Sequence, residues 1–227
     1  VRIQSYLLGA SRGESKISPE LVKEFQELCG KALDRQFNQK RDDWRLRMSE
    51  VGKPLCQQKL KKKGVKQEYE YNAVMRFIIG DLIEALAIVI MKAAGIKIQE
   101  SQKKVSMKIA NIDLQGTYDV KIEDKIYDIK TASPYAFDSK FGEWGGYNRV
   151  KEDDMFGYVA QGYSYSYAGK SKFGGWIAIN KSTGEWAICE APEEQEHEQS
   201  KALHIVKHNI ENINKEFKKE FDDYAEM

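Results

Sequence analysis

Residues 116–131 read Gly116-Thr117-Tyr118-Asp119-Val120-Lys121-Ile122-Glu123-Asp124-Lys125-Ile126-Tyr127-Asp128-Ile129-Lys130-Thr131. Apolar and polar residues alternate on both sides of a short polar break at 123–125, as two strands joined by a hairpin connection require. The arms are 116–122 and 126–131. Side chains along a strand alternate between faces, so Asp128 and Lys130 share one face while Tyr127 and Ile129 share the other. Asp119 stands in the opposing arm, where it can meet Asp128 across the ladder. Two carboxylates that close repel each other unless a cation sits between them.

Upstream, Ile96, Ile98, Val105, Met107, Ile109, Ile112 and Leu114 recur at period two through short polar breaks, which extends the hairpin into a meander of three or four strands. Before it, 72–94 is apolar nearly all round from 77 to 91 and ends at Gly95, the pattern of a buried central helix. That helix carries Asp81 and Glu84, and a carboxylate buried there needs compensation. Ser18-Pro19 starts an earlier amphipathic helix with Leu21, Phe25, Leu28, Ala32 and Leu33 on one stripe. Downstream lie a loop rich in glycine and aromatic residues at 134–149, a helix at 154–168, and strands at 176–179 and 186–189. A closing helix bears Leu203, Val206, Ile210, Ile213, Phe217, Phe221 and Tyr224.

This order predicts an α/β fold, a central mixed β-sheet flanked by helices. No repeat or low-complexity linker divides the chain, so one domain is expected. Its parts are a helical, basic stretch at 1–71, a core at 72–190 and a C-terminal helix at 191–227.

The 227 residues are 41% hydrophobic, 11% aromatic and 31% charged, the composition of a folded chain rather than a disordered one. The longest apolar run, 85–91, is far short of the ~18 residues of a membrane span, and no signal-peptide pattern opens the sequence. A cytoplasmic protein with no membrane partner is expected. Cys29, Cys56 and Cys189 form no CxxC pair and cannot build a disulfide framework, so they are read as reduced thiols.

A net charge of +1 excludes nucleic-acid binding driven by overall charge, but the charge is polarised. Residues 31–66 hold twelve basic against four acidic side chains, a net of +8, and 190–227 hold five against eleven, a net of −6. The basic stretch includes Arg41, Arg45, Arg47, Lys53, Lys59, Lys61, Lys62 and Lys63. It suits a phosphate backbone through counterion release, and it equally suits a solvated surface.

Glu84, Asp119 and Asp128 offer hard oxygen donors with no His or Cys among them, which suits Mg²⁺, with Mn²⁺ as a substitute, better than Zn²⁺. Such an ion beside a lysine points to phosphodiester hydrolysis. The metal offsets charge on the scissile phosphate and acidifies the attacking water, and Lys130 orients or helps deprotonate that water. Taken singly, these residues read as a surface ion pair, a turn residue and a helix-face acid; their joint placement favours the chemical reading.

Asp119, eight intervening residues and Asp128-Ile129-Lys130, preceded by a helix with Glu84, resemble the PD-(D/E)XK nucleases, in particular their RecB-type and phage-exonuclease branch. The resemblance implies a restriction-endonuclease-like core in which Glu84, Asp119, Asp128 and the main-chain carbonyl of Ile129 hold the metal. Gln161-Gly162-Tyr163-Ser164-Tyr165 is similar to the branch's QxxxY signature, implying that Gln161 and Tyr165 face the active site. Arg47-Met48-Ser49-Glu50-Val51-Gly52-Lys53 is similar to its Ser-x-x-Gly segment near the DNA path, implying DNA contacts from Arg47, Ser49 and Lys53.

The same resemblance implies a metal-dependent DNA nuclease, an exonuclease of recombination, repair or phage DNA processing. A structure-specific or nicking endonuclease and a catalytically silent DNA-binding module are the alternatives. DNA is the implied partner, and the branch also allows a single-strand-binding or annealing protein and a homo-oligomer. Tyr118 stands where the family has proline. Relatives with an iron-sulfur cluster place one cysteine before the core and three after it. Here Cys56 precedes and only Cys189 comes after, so no cluster is expected and Cys56 is read as a packed thiol.

In 134–149, Tyr135, Phe137, Phe141, Trp144 and Tyr147 lie near Lys140 and Arg149, able to stack on unpaired bases or to pack over the sheet edge. Trp144 and Arg149 are the expected DNA contacts there. His197, His204 and His208 lack an accompanying cysteine or motif and read as surface histidines of a helix that packs on the sheet or on a neighbouring subunit. No GxxxxGK(S/T) segment is present.

Overall fold

A computed structural model describes residues 2–38, 44–64 and 69–215. Arg41 of the basic stretch and Phe217, Phe221 and Tyr224 of the closing stripe lie outside the described residues.

Five strands form one sheet: β1 (Ile98–Ile109), β2 (Ile112–Ile122), β3 (Lys125–Ala132), β4 (Lys172–Asn180) and β5 (Trp186–Glu190), ordered β1-β2-β3-β4-β5. Neighbours run antiparallel except β3 and β4, which are parallel. The meander is thus three strands, two of them long. Ala110 and Asn111 turn the first hairpin with φ of 48° and 62°, and Glu123 and Asp124 turn the second with 49° and 59°. Positive φ at both central residues is the two-residue turn that suits the twist of a hairpin. With no glycine to signal it, the second turn is shorter than the sequence suggests, and Lys125 belongs to β3.

The described helices preceding the sheet are α1 (Arg2–Ser11), which the apolar periodicity does not single out, α2 (Pro19–Phe37), α3 (Met48–Val51), α4 (Leu55–Lys62) and α5 (Tyr71–Ala93). Ser18 caps α2 as expected, its side chain accepting from the Leu21 N–H at 3.4 Å. After α5, Gly95 takes φ 77°, a left-handed turn that a residue with a Cβ resists.

Between β3 and β4 the chain is helical rather than a loose loop: α6 (Pro134–Ala136), a π-helical turn (Phe137–Phe141), α7 (Tyr147–Glu152) and α8 (Tyr158–Ala168). Phe137, Phe141, Tyr147 and Val150 are buried with Trp176, Tyr163 and Phe173, so most of the segment's rings are core. Tyr135 and Trp144 remain 83% and 76% exposed. Last comes α9 (Glu196–Asn212).

The sheet is covered on both faces. On one, α5 sets Ala87, Ile88 and Met91 against Val120, Ile129, Ile177 and Ile179. On the other, α8 sets Ala160 and Tyr165 among Leu114, Tyr118, Ile126 and Met48. Each fully buried aliphatic or aromatic side chain contributes roughly 1.5–3 kcal/mol. Val206 and Ile210 of α9 join this second cluster, and α9 seats on α8 and α3. Among the described residues no helix is long and apolar enough to cross a membrane. Cys56 is exposed on α4 rather than packed, Cys29 is half-buried and Cys189 is buried.

Gly116 lets the ring of Tyr165 pass over β2. A Cβ there would lie 2.5 Å from Tyr165 Cε1 and 2.9 Å from both Cβ and Sδ of Met48. Gly116→Ala is therefore expected to cost roughly 1–3 kcal/mol of stability through overpacking, read as a lower denaturant midpoint at unchanged slope. A midpoint equal to that of the parent chain would show that the ring yields freely.

Candidate active site

The site lies where β2 leaves β3. Their pairing covers only Val120 with Tyr127, Lys121 with Ile126 and Ile122 with Lys125. Tyr118 packs into the α8-side cluster and Val120 into the α5-side cluster, so β2 changes face at Asp119. The ladder stops there, and the Ile129 N–H donates instead to Asp119 Oδ2 at 2.6 Å. Asp119 thus comes beside Asp128 through a wedge between strands, not through the continued register that the alternation suggests.

Asp128 and Lys130 both project from β3 toward α8, as alternation requires. Asp128 is 3% exposed, with Lys130 Nζ 2.6 Å from its Oδ2. That buried oxygen has no partner besides the ammonium. Gln161 Nε2 donates to Asp128 Oδ1 at 3.2 Å and to the Tyr165 hydroxyl at 3.2 Å. Gln161 and Tyr165 lie one helical turn apart on α8, which is why a spacing of four residues brings both over the strand. Lys130 Nζ also stands 4.5 Å from the centre of the Tyr158 ring, a cation–π contact made by the first residue of α8.

Glu84 reaches the cluster from α5. Gln102 Nε2 of β1 donates to its Oε1. One turn earlier, Asp81 is clamped by Arg35 Nη2 at 2.9 Å and by Gln36 Nε2 at 2.8 Å, both from the end of α2.

The electrostatics are those of acids in excess. Burial pushes Asp119 well above the usual carboxylate range, with Glu84 and Asp128 adding to it against Lys130 and the Ile129 N–H. Burial likewise raises Glu84, helped by Asp128 and Asp81 and opposed by Arg35 and Gln102. For Lys130 burial pulls downward, but Asp128, Tyr158 and Asp119 outweigh it and hold the ammonium protonated. Burial, then Asp128 and Asp119, raises the Tyr165 phenol, which stays neutral.

Among the described residues no three His, Cys, Asp or Glu side chains converge closely enough, as placed, to hold an ion. Glu84, Asp119 and Asp128 are electrostatic neighbours, each engaged by a protein group. Their chemistry nevertheless fits a divalent cation: buried hard oxygens, two carboxyls pushed upward by burial first and by neighbouring acids next, and an Asp128 oxygen whose one partner is the ammonium.

Arg47, Lys53 and Lys61 gather around Glu50. Arg47 makes a parallel bridge to Gln115 of β2 and occupies the N-cap position of α3 without a side-chain capping bond. Glu50 pairs with Lys61 and, at 3.6 Å, with Lys53. Burial, Lys61 and Lys130 push the Lys53 ammonium down against the pull of Glu50, which puts Lys53 within electrostatic reach of Lys130. The turn is held from beneath by two buried carboxamides. Gln58 and Asn209 each donate to the carbonyls of both Val51 and Lys53. Ser49 is half-buried on the same short helix.

Trp144 and Arg149 are not drawn into the cluster. Both are exposed, and Arg149 pairs with Glu152 at 3.2 Å. Sequence reasoning misses Gln102, Tyr158 and Arg35. Only Tyr158 carries a signal, three residues before Gln161 on the same helix.

Neither a family model nor a curated protein matches the chain. Among solved structures, SSO0001 is similar with a TM-score of 0.48 and 12% identity, covering 84% of this chain and 87% of that one. A candidate exonuclease from Eubacterium rectale is similar with a TM-score of 0.46 and 13% identity, covering 87% of this chain and 85% of that one. Both likenesses are distant.

Proposed function

We propose that the chain is a metal-dependent DNA nuclease of the PD-(D/E)XK type with a restriction-endonuclease-like core, an exonuclease of recombination, repair or phage DNA processing. The observation that carries this reading is the Asp128–Lys130 pair at 2.6 Å, beneath Gln161 and Tyr165 and beside Asp119 at the parting of β2 from β3. Glu84, Asp119, Asp128 and the Ile129 carbonyl would hold Mg²⁺ or Mn²⁺. When bound, the ion supplies charge neutralisation at the scissile phosphate and a more acidic attacking water.

The chain's own residues do the rest. Lys130, kept protonated by Asp128, orients the attacking water and offsets phosphate charge. The Tyr158 ring covers one side of that ammonium and limits its contact with solvent. Gln161 fixes Asp128 and is itself fixed by Tyr165, so the acid keeps one orientation while substrate enters. Arg47 and Lys53 offer cations suited to a phosphate backbone. DNA as the partner and the cytoplasm as the place of action belong to this reading.

The test is incubation with end-labelled linear duplex, linear single strand and closed circular DNA in Mg²⁺, Mn²⁺ or EDTA. Degradation of linear DNA with intact circles, stopped by EDTA, is the expected result. Cut circles would replace the exonuclease with an endonuclease, and no cleavage of any substrate would overturn the enzyme in favour of a DNA-binding module.

A further inference from the structure

Among the described residues, six that are not glycine have positive φ: Gln102, Ala110, Asn111, Glu123, Asp124 and Lys170. Four of them make the two hairpin turns, and Lys170 comes just after the end of α8 at Gly169. Gln102 has no such reason. It lies inside β1 at φ 51°, a conformation costly for any residue with a Cβ and found where surrounding structure imposes it.

The strand register shows what is gained. Ser101 pairs with Val120 and Lys103 with Tyr118, so Gln102 stands opposite Asp119, and between those pairs the two do not join the ladder. Turned out of the strand's regular path, the Gln102 carboxamide meets α5 and donates from Nε2 to Glu84 Oε1. A neutral donor orients a carboxylate through one oxygen and leaves its full charge for a cation. Arg35, whose charge also acts on Glu84, is already held by Asp81 at 2.9 Å.

We propose that Gln102 is a positioning residue for Glu84: the distortion of β1 opposite Asp119 is retained because it delivers the donor that aims Glu84 at the other two acids for divalent-ion binding. This role rests on the metal-site reading above. Partners that hold a ligating side chain in place are typically worth about tenfold to a hundredfold in metal affinity.

The experiment is Mn²⁺ titration by calorimetry, with thermal unfolding in EDTA, on the parent chain, Gln102→Ala, Gln102→Gly, Glu84→Gln and Glu84→Gln with Gln102→Gly. Both Gln102 variants should bind Mn²⁺ about tenfold more weakly or worse. In EDTA, Gln102→Gly should melt above Gln102→Ala, because glycine accepts positive φ without penalty. In the Glu84→Gln background, Gln102→Gly should cause no further loss of affinity, since the two act as one unit. Unchanged Mn²⁺ affinity in Gln102→Gly, or a second tenfold loss on top of Glu84→Gln, would overturn this role alone. A parent chain that takes no Mn²⁺ would overturn the metal site and this role together.

Discussion

Lys130→Ala is expected to slow DNA cleavage by about 10²–10⁴-fold while divalent-ion and DNA binding persist. The ammonium stands 2.6 Å from Asp128 and over the Tyr158 ring, so under the proposed function it adjoins the metal-binding acids without being an oxygen donor itself. Its removal deletes charge stabilisation and water orientation but leaves the carboxylates. Asp128→Ala should behave differently, losing ion binding and cleavage together and leaving Lys130 buried without its acid, a costly arrangement. Single-turnover cleavage beside Mn²⁺ titration separates the two. A Lys130→Ala chain that cleaves at the parental rate would remove Lys130 from the site.

The second large effect is on stability, with a sign that sets function against folding. Asp119 is pushed upward by burial first and by Glu84 and Asp128 next. The folded chain therefore keeps that proton to higher pH than the unfolded chain does. Stability from this group is full at low pH and declines as pH rises from the ordinary carboxylate range through the folded value. In EDTA at neutral pH, Asp119→Asn should accordingly be more stable than the parent, by about 0.5–2 kcal/mol, the gain that a single stabilising substitution commonly yields. Asparagine can still accept from the Ile129 N–H, so the wedge between β2 and β3 survives. Mn²⁺ should stabilise the parent by mass action and leave the variant unmoved. A variant less stable than the parent in EDTA from about pH 5 to 8 would contradict the excess of negative charge at the site.

Part of this site is legible in the sequence because strand alternation is a strong rule. Asp128 and Lys130 fall on one face whatever the details of the sheet, and QxxxY at helical spacing has to present Gln161 and Tyr165 together. The apolar helix around Glu84 is legible as an element but not as a fully buried one: Ala85, Ala87, Ile88, Val89 and Met91 face the core, while Met75, Phe77, Ile79 and Leu86 stay exposed on its other side. Alternation brings Asp119 beside Asp128 for an incomplete reason. The face reversal of β2 and the left-handed Gln102 are tertiary events, and nothing in Ser101-Gln102-Lys103 marks them.

The segment after β3 looks like a loop in the sequence because its three glycines and crowded rings mask real helical spacings. Phe137 and Phe141 are four apart and Tyr147 and Val150 three apart, and all four are buried. Trp144 is left outside that packing, which separates it from most of the neighbouring rings.

The most direct measurement is a crystal soaked in Mn²⁺, with anomalous difference density calculated near the manganese edge. The predicted result is a peak bonded to Asp119, Asp128 and the Ile129 carbonyl within reach of Glu84, and its loss in Asp119→Asn. A well-ordered soak with no peak at these groups, or with the ion bound only elsewhere, would contradict the metal site.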